Sequence, residues 1–489
     1  MRFGGSGPAV VRGGGGTAVG PGGANGLGGA NGLGPADARR ALLGLGLPVY
    51  CELLSGVVVG VVDTLWVARL GRAAVSAVAA AGTLENLLLG VVLMAGTGVT
   101  MVLSDTLGAR RMAEIPPVIK AVGVLWLVIT CVVAGGGFVF RREVAGLLVG
   151  GGSGEVRQLV AEFLAVSLPG LAVFFAQNVV DGIFKGLGDT RTPMRAALVA
   201  NGCVLVLDPV LIYGVGALPA LGVRGAALGT VLGRSVALGV SLVLLLLLRR
   251  RRDAVLGAGA VAGSRSGAGS GSGSGWIVAL RRILGVGLPA SGDFVLRMGI
   301  GAALLGMVAR FGEEPLAAYA IGTKVILFVT MAFYALRQAG GILTARARGA
   351  GRRADRVIGV QSGLLAVLVG AGAGLVLALC GRVVMGWFTS ASGVVDSGSV
   401  LLWFLLPYLV ALAGVVGPGG VFMGGGRARG PLWVTAVGAC VQLPLAHWLG
   451  SVGGLGVRGV WLSMSLGTGV QWGMTALMFW RWVGRDGTV

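Results

Sequence analysis

From Arg39 onward the chain is a succession of apolar runs, each long enough to cross a bilayer, separated by short polar or basic breaks. A hydrocarbon core roughly 30 Å thick takes about 20 helical residues to cross. Inside it every backbone N–H and C=O must be satisfied within its own segment, so runs of this kind have to be helices. Six fall near 41–68, 75–104, 117–140, 158–184, 192–214 and 222–248, and six more near 278–310, 315–345, 357–388, 398–424, 430–450 and 455–480. Composition agrees: 55% of the 489 residues are hydrophobic and 12% charged, against about 25% charged in an ordinary soluble domain.

The formal net charge of +20 would suggest nucleic acid as the partner of a soluble protein. Here the basic residues sort by side instead. With the N-terminus in the cytoplasm, the loops and ends on that side hold about 23 Lys and Arg and the opposite side about nine, which is the positive-inside pattern. Arg39, Arg40, Arg110, Arg111, Arg191, Arg249–Arg252, Arg352 and Arg353 lie on the first side, and Arg69, Arg72, Arg141, Arg142 and Arg458 on the second. Both termini are expected in the cytoplasm, with a lipid bilayer and no nucleic acid as partner. Residues 1–38 read as a disordered Gly-rich tail and 249–277 as a cytoplasmic Gly/Ser/Arg linker. They flank an N-terminal lobe over 39–248 and a C-terminal lobe over 278–484.

The lobes are copies of each other. WVARLG at 66–71 returns as MVARFG at 307–312, Pro48 pairs with Pro289, and Gly108-Ala109 pairs with Gly349-Ala350. Further on, GIFKGLGDTRTPM at 182–194 returns as GVFMGGGRARGPL at 420–432, and LGVRGAALGT at 221 as LGVRGVWLSM at 455. An even number of spans per copy gives both the same orientation, with a pseudo-two-fold axis along the membrane normal. The predicted fold is therefore an all-α integral membrane protein of twelve transmembrane helices in two related six-helix lobes, with a cavity between them. The five cysteines lie far apart in apolar runs and read as small buried hydrophobes. With one histidine and no HExxH, an integral membrane enzyme has no catalytic cluster to stand on.

The span LPVYCELLSGVVVGVVDTLWVARLG, the stretch GIFKGLGDTRTPMRAALVANGCVLVLDPVLIYG with LGVRGAALGT, and LPLAHWLG with LGVRGVWLSM resemble the multidrug and toxic compound extrusion (MATE) transporters, over residues 41 to 484. The resemblance, closest to the DNA-damage-inducible-like branch, implies efflux of small organic compounds by exchange against protons or sodium, with the lobes rocking between two open states. It implies no cofactor and no metal beyond sodium at Asp63 and Asp208. A flippase for lipid-linked sugars within the same superfamily is the alternative. The expected setting is the plasma membrane or an organelle envelope, and the expected form a monomer.

Ionisable groups inside spans are costly and invite a functional reading. Asp63 and Asp208 fall at similar depth, roughly 8 to 9 Å below the outer surface at 1.5 Å per residue, and Thr230 roughly 12 Å below it. Two carboxylates brought together in a low-dielectric site cannot both stay charged and unpaired, so one takes a proton or a cation sits between them. The resemblance places Asp63, Asp208 and Thr230 on cation-binding positions, with Asn201 nearby. Val204 stands where some members carry Asn, which weakens a sodium site more than a proton site. The competing reading makes Asp208, before Pro209, a kink cap and Asp63 a local backbone partner. Glu52 and Asp293 are repeat-equivalent acids, four residues after Pro48 and Pro289, and Arg297 stands at i,i+4 from Asp293, an internal ion pair. With Lys324, Arg337 and Gln338 they form the candidate substrate cavity, acids in the first lobe and cations in the second. That asymmetry fits either a partly anionic substrate or pairs that lock the lobes. His447 reads as a surface residue.

Overall fold

The computed structural model describes residues 33–150, 154–216, 219–259 and 275–485. The long helices are α1 Pro35–Ala68, α2 Arg72–Gly108, α3 Met112–Val139, α4 Gly154–Gly186, α5 Arg191–Tyr213 and α6 Val223–Gly259. The second lobe repeats them as α7 Gly275–Val308, α8 Glu313–Gly349, α9 Asp355–Leu379, α10 Ser392–Gly424, α11 Arg429–His447 and α12 Val457–Arg485. Eleven of the twelve meet the length and hydropathy of a membrane span. The twelfth, α12, packs on α10 and α11 as α6 packs on α4 and α5, so the duplication assigns it the same role.

Several helices exceed their apolar runs. Helix α1 starts at Pro35, inside the stretch read as tail, because proline at the first helical position lacks only an N–H that would be unpaired anyway. Helix α6 runs on to Gly259, inside the stretch read as linker. The rest of the tail and linker expectations lie outside the described residues. Helix α3 carries a π-helical segment over Thr130–Gly135, and α11 is followed by another over Trp448–Val452.

The start of α1 and the end of α12 lie at one end of the bundle, here called the basic end. There the lobes meet backbone to backbone. Helix α2 runs against α7 and α8, and α1 against α8. A Cβ on Gly108 would lie 2.1 Å from the Arg346 carbonyl oxygen, and one on the equivalent Gly349 would lie 2.0 Å from that of Asp105. Only glycine lets the two repeat-related helices approach this closely. Arg282 of α7 crosses to the first lobe, donating through Nη2 to Asp105 Oδ2 at 2.6 Å and through Nη1 to Glu114 Oε2 at 3.0 Å. Arg111 braces the same acids at 3.1 and 3.0 Å, Arg346 Nη2 donates to the Leu187 carbonyl at 3.0 Å, and Arg39 bonds Gln361.

The cysteines are a correction. Cys131, Cys380 and Cys440 are exposed, and Cys51 and Cys203 are half-buried. In a membrane protein an apolar run does not mean burial, since the lipid-facing surface is as apolar as the core. His447 is exposed, as expected.

Candidate functional site

Helices α1, α5 and α6 build the site in the first lobe. Asp63 of α1 and Asp208 of α5 lie within hydrogen-bonding reach of each other. Asp208 is 1% exposed, and the Oδ1 atoms of both residues are buried with no hydrogen-bond partner among the described residues. The geometry is held from the far end, where the Tyr213 hydroxyl donates to the Trp66 carbonyl at 2.6 Å and the two rings meet edge to face. Pro209 follows Asp208 inside α5. Because proline contributes no N–H, the helix is weakened at the turn that carries the acid.

Helix α6 meets the pair through a glycine. A Cβ on Gly229 would lie 2.2 Å from Asp208 Oδ1, so the carboxyl occupies the space a side chain there would take. Thr230 is next in the chain and half-buried, but its hydroxyl bonds neither carboxyl among the described residues. Val204 packs on Gly233, where a Cβ would lie 2.6 Å from its Cγ2, so that side of the pair has an apolar wall. Asn201 belongs to a different layer. It is about 10 Å nearer the basic end, two helical turns before Asp208, and its amide donates to Ser55 Oγ at 2.8 Å.

That layer is a second polar cluster. Lys185 donates to Glu52 Oε1 at 2.7 Å with both side chains largely buried, and Ser55 donates to the Glu52 carbonyl. One turn from Lys185, Asp181 accepts from Gln177 at 2.8 Å, which also reaches Ser241 at 3.3 Å. Arg234 of α6 lies 4.0 Å over the Phe174 ring and faces Glu85 and Asp181. The sequence reading did not single out Glu85, Asp181 or Lys185 as site residues. A charged letter inside an apolar run was the available signal for Glu85 and Asp181. Lys185 sits at the end of its run and gave none.

In the second lobe the predicted Asp293–Arg297 pair is present at 3.2 Å. Arg337 joins it, with Nη2 2.8 Å from Asp293 Oδ2. Thr435 donates to Asp293 Oδ1 at 2.6 Å and accepts from Arg297 Nη2 at 2.8 Å. Glu52 is not in this group, Lys324 is exposed on α8, and Gln338 is half-buried. No group of three or more His, Cys, Asp or Glu side chains suited to a metal ion occurs among the described residues.

The chain is 26% identical over 434 residues to a probable multidrug resistance protein NorM of Thermotoga maritima, covering 88% of this chain and 89% of that one. It is 25% identical over 458 residues to a probable multidrug resistance protein NorM of Bradyrhizobium diazoefficiens, covering 91% and 93%. Its fold matches an outward-facing multidrug resistance MATE family transporter of the MOP superfamily with a TM-score of 0.80 at 22% identity, over 92% of this chain and 97% of that one. It matches the bent form of the Vibrio cholerae MATE transporter VcmN at 0.79 and 19%, over 92% and 98%. The MatE family model matches residues 48–210 and 289–448, one copy per lobe, opening on the equivalent Pro48 and Pro289. The chain therefore belongs to the MatE family: it is a MATE transporter of the membrane, not an enzyme.

Proposed function

We propose that this transporter exports small organic compounds by antiport against protons, working by alternating access, with Asp63 and Asp208 as the coupling pair. The observation that carries the reading is the pair itself: a buried Asp208 and a half-buried Asp63 whose carboxyl groups lie in mutual reach, with no basic side chain bonded to them among the described residues. In a low-dielectric site like charges this close cannot persist, so the pair is stable with a shared proton or an inserted cation and unstable without one. Val204 supplies no amide oxygen, and Thr230 bonds neither acid. Both features favour a proton over sodium, and Asn201 acts through the Glu52 layer rather than as a ligand.

Loading and unloading of the pair would bias the packing of α1, α5 and α6, and through α1 the contact between lobes. The contacts at the basic end support a state closed on that side, which we assign to the cytoplasm together with both termini. Inward opening would have to break the bonds of Arg282 to Asp105 and Glu114. The names of the NorM relatives support multidrug efflux, and we place the monomer in the plasma membrane. No cofactor is required of the family.

One observation favours the sugar-lipid flippase, the surplus of arginine in the second lobe. Against it, the first lobe's interior holds Glu52, Asp63, Glu85, Asp181 and Asp208 against Lys185 and Arg234, whereas a pyrophosphate path needs cations through both lobes. The test is dye efflux in everted membrane vesicles. Asp63→Asn and Asp208→Asn should each abolish gradient-driven efflux while the purified proteins keep the wild-type elution volume. Normal efflux by both would sink the proposal.

A further inference from the structure

The second lobe buries two guanidinium groups against one carboxylate. Asp293 is 1% exposed, and the Arg297 and Arg337 side chains are 11% and 9% exposed. Arginine keeps its charge at any pH a protein meets, so the cluster carries one positive charge that Asp293 does not cancel. The other described acids of this lobe lie at helix ends: Glu313 and Glu314 open α8, Asp355 opens α9, and Asp396 lies near the start of α10 against Arg382. The other titratable groups facing Arg297 are the hydroxyls of Tyr334 and Tyr408, which bring no negative charge.

Donors are in surplus as well. Arg297 spends Nε on Asp293 and Nη2 on Thr435. Arg337 Nη2 pairs in charge with Asp293 Oδ2, which accepts no hydrogen bond among the described residues, and donates instead to the Met423 thioether at 3.8 Å, a weak acceptor. Arg297 Nη1 and Arg337 Nε and Nη1 donate to no protein group among the described residues. A structural pin would need one arginine per carboxylate. Two planar forks, fixed by a shared acid and a buried threonine with N–H groups left over, form the arrangement that takes an oxyanion.

We infer that Arg297 and Arg337 form an oxyanion-recognition subsite that holds the carboxylate or phosphate group of the exported compound, an inference that rests on the efflux reading above. Asp293 and Thr435 orient the forks and limit the free charge to one, which the incoming anion neutralises. The substrates then include organic acids and zwitterions, bound by the second lobe while the first lobe handles the coupling ion.

The test uses a matched dye pair, tetramethylrhodamine, whose carboxylate is free, and its methyl ester, the same cation without that charge. Binding to the purified full-length transporter is read by fluorescence polarisation. The wild type should bind the free acid about tenfold or more tightly than the ester, about 1.4 kcal/mol, and Arg297→Gln and Arg337→Gln should each erase that preference with little change for the ester. Arg337→Lys, which keeps the charge and loses the fork, should retain part of it and serves if a glutamine variant fails to fold. Benzoate and phenyl phosphate as competitors separate a carboxylate from a phosphate preference. Equal affinities for acid and ester in the wild type, or an undiminished preference in the variants, would overturn the inference. Efflux of the ester in proteoliposomes would then leave the transport reading standing. Selective binding without transport of either dye would sink the transport reading and leave the subsite.

Discussion

Replacing Gly229 by alanine tests whether the Asp208 carboxyl is positioned by α6. Elsewhere in a helix this exchange favours folding, by roughly 0.8–1.0 kcal/mol. At Gly229 the new Cβ would lie 2.2 Å from Asp208 Oδ1 and 3.4 Å from its Cγ and backbone N. Ordinary contact begins near 3.4 Å, so the carboxyl must retreat by about an ångström, or the helices must part at a cost typical of overpacking, about 1–3 kcal/mol. Rotation of Asp208 is the easier response, and it changes the distance to Asp63 on which proton sharing depends. Gly239, ten residues further along α6, is the internal control, because a Cβ there meets nothing within 4 Å. Thermal unfolding in detergent should show Gly239→Ala unchanged or stabilised and Gly229→Ala destabilised relative to it by about 1–3 kcal/mol, the overpacking cost, since the helix gain is common to both variants. Gradient-driven dye efflux should fall about tenfold or more for Gly229→Ala, one pair interaction worth about 1.4 kcal/mol, and stay at wild-type level for Gly239→Ala. Indistinguishable behaviour of the two variants in both assays would refute the reasoning that α6 sets the geometry of the pair.

Removing Lys185 alone leaves the Glu52 carboxylate buried without its partner, so Lys185→Met should lose about 3–5 kcal/mol of stability. Glu52→Gln combined with Lys185→Met should recover most of it, read by thermal melts of the single and double variants. At the lobe contact, Gly349→Ala puts a Cβ 2.0 Å from a backbone oxygen that cannot rotate away. Spin-label distances between cysteines introduced at Arg191 and Arg427 should lengthen as the basic end is held open, and an unchanged distance distribution would contradict that. Arg282→Ala removes two ion pairs across the lobes, both partly exposed. It should shift the same distances in the same direction with a smaller cost, about 1 kcal/mol.

The helices and their pairing into lobes were readable because bilayer thickness fixes the length of an apolar run and duplication repeats its landmarks. Pro48 and Pro289, Gly108 and Gly349 mark equivalent points in both sequence and structure. Asp63 and Asp208 were readable for a related reason, since a charge in hydrocarbon is too costly to be incidental. What escaped depends on contacts between distant helices. Arg337 gave no sign that it would close on Asp293, a helix away, and Lys185 none that it would reach Glu52, 133 positions earlier. Thr230 was placed by counting residues, which gives depth alone; packing decides which side of α6 meets the pair, and it is Gly229 that lies against Asp208. The cysteines misled for another reason: hydrophobicity reports immersion in lipid or protein alike.

The central claim is that the carboxyl pair of the first lobe couples export to protons. Transport of a fluorescent organic cation into proteoliposomes, driven first by an imposed proton gradient and then by an imposed sodium gradient, tests it most directly. The account predicts uptake with the proton gradient, none above background with sodium alone, and loss of the proton response in Asp63→Asn and Asp208→Asn. Equal transport by those variants, or a response to sodium alone, would contradict it.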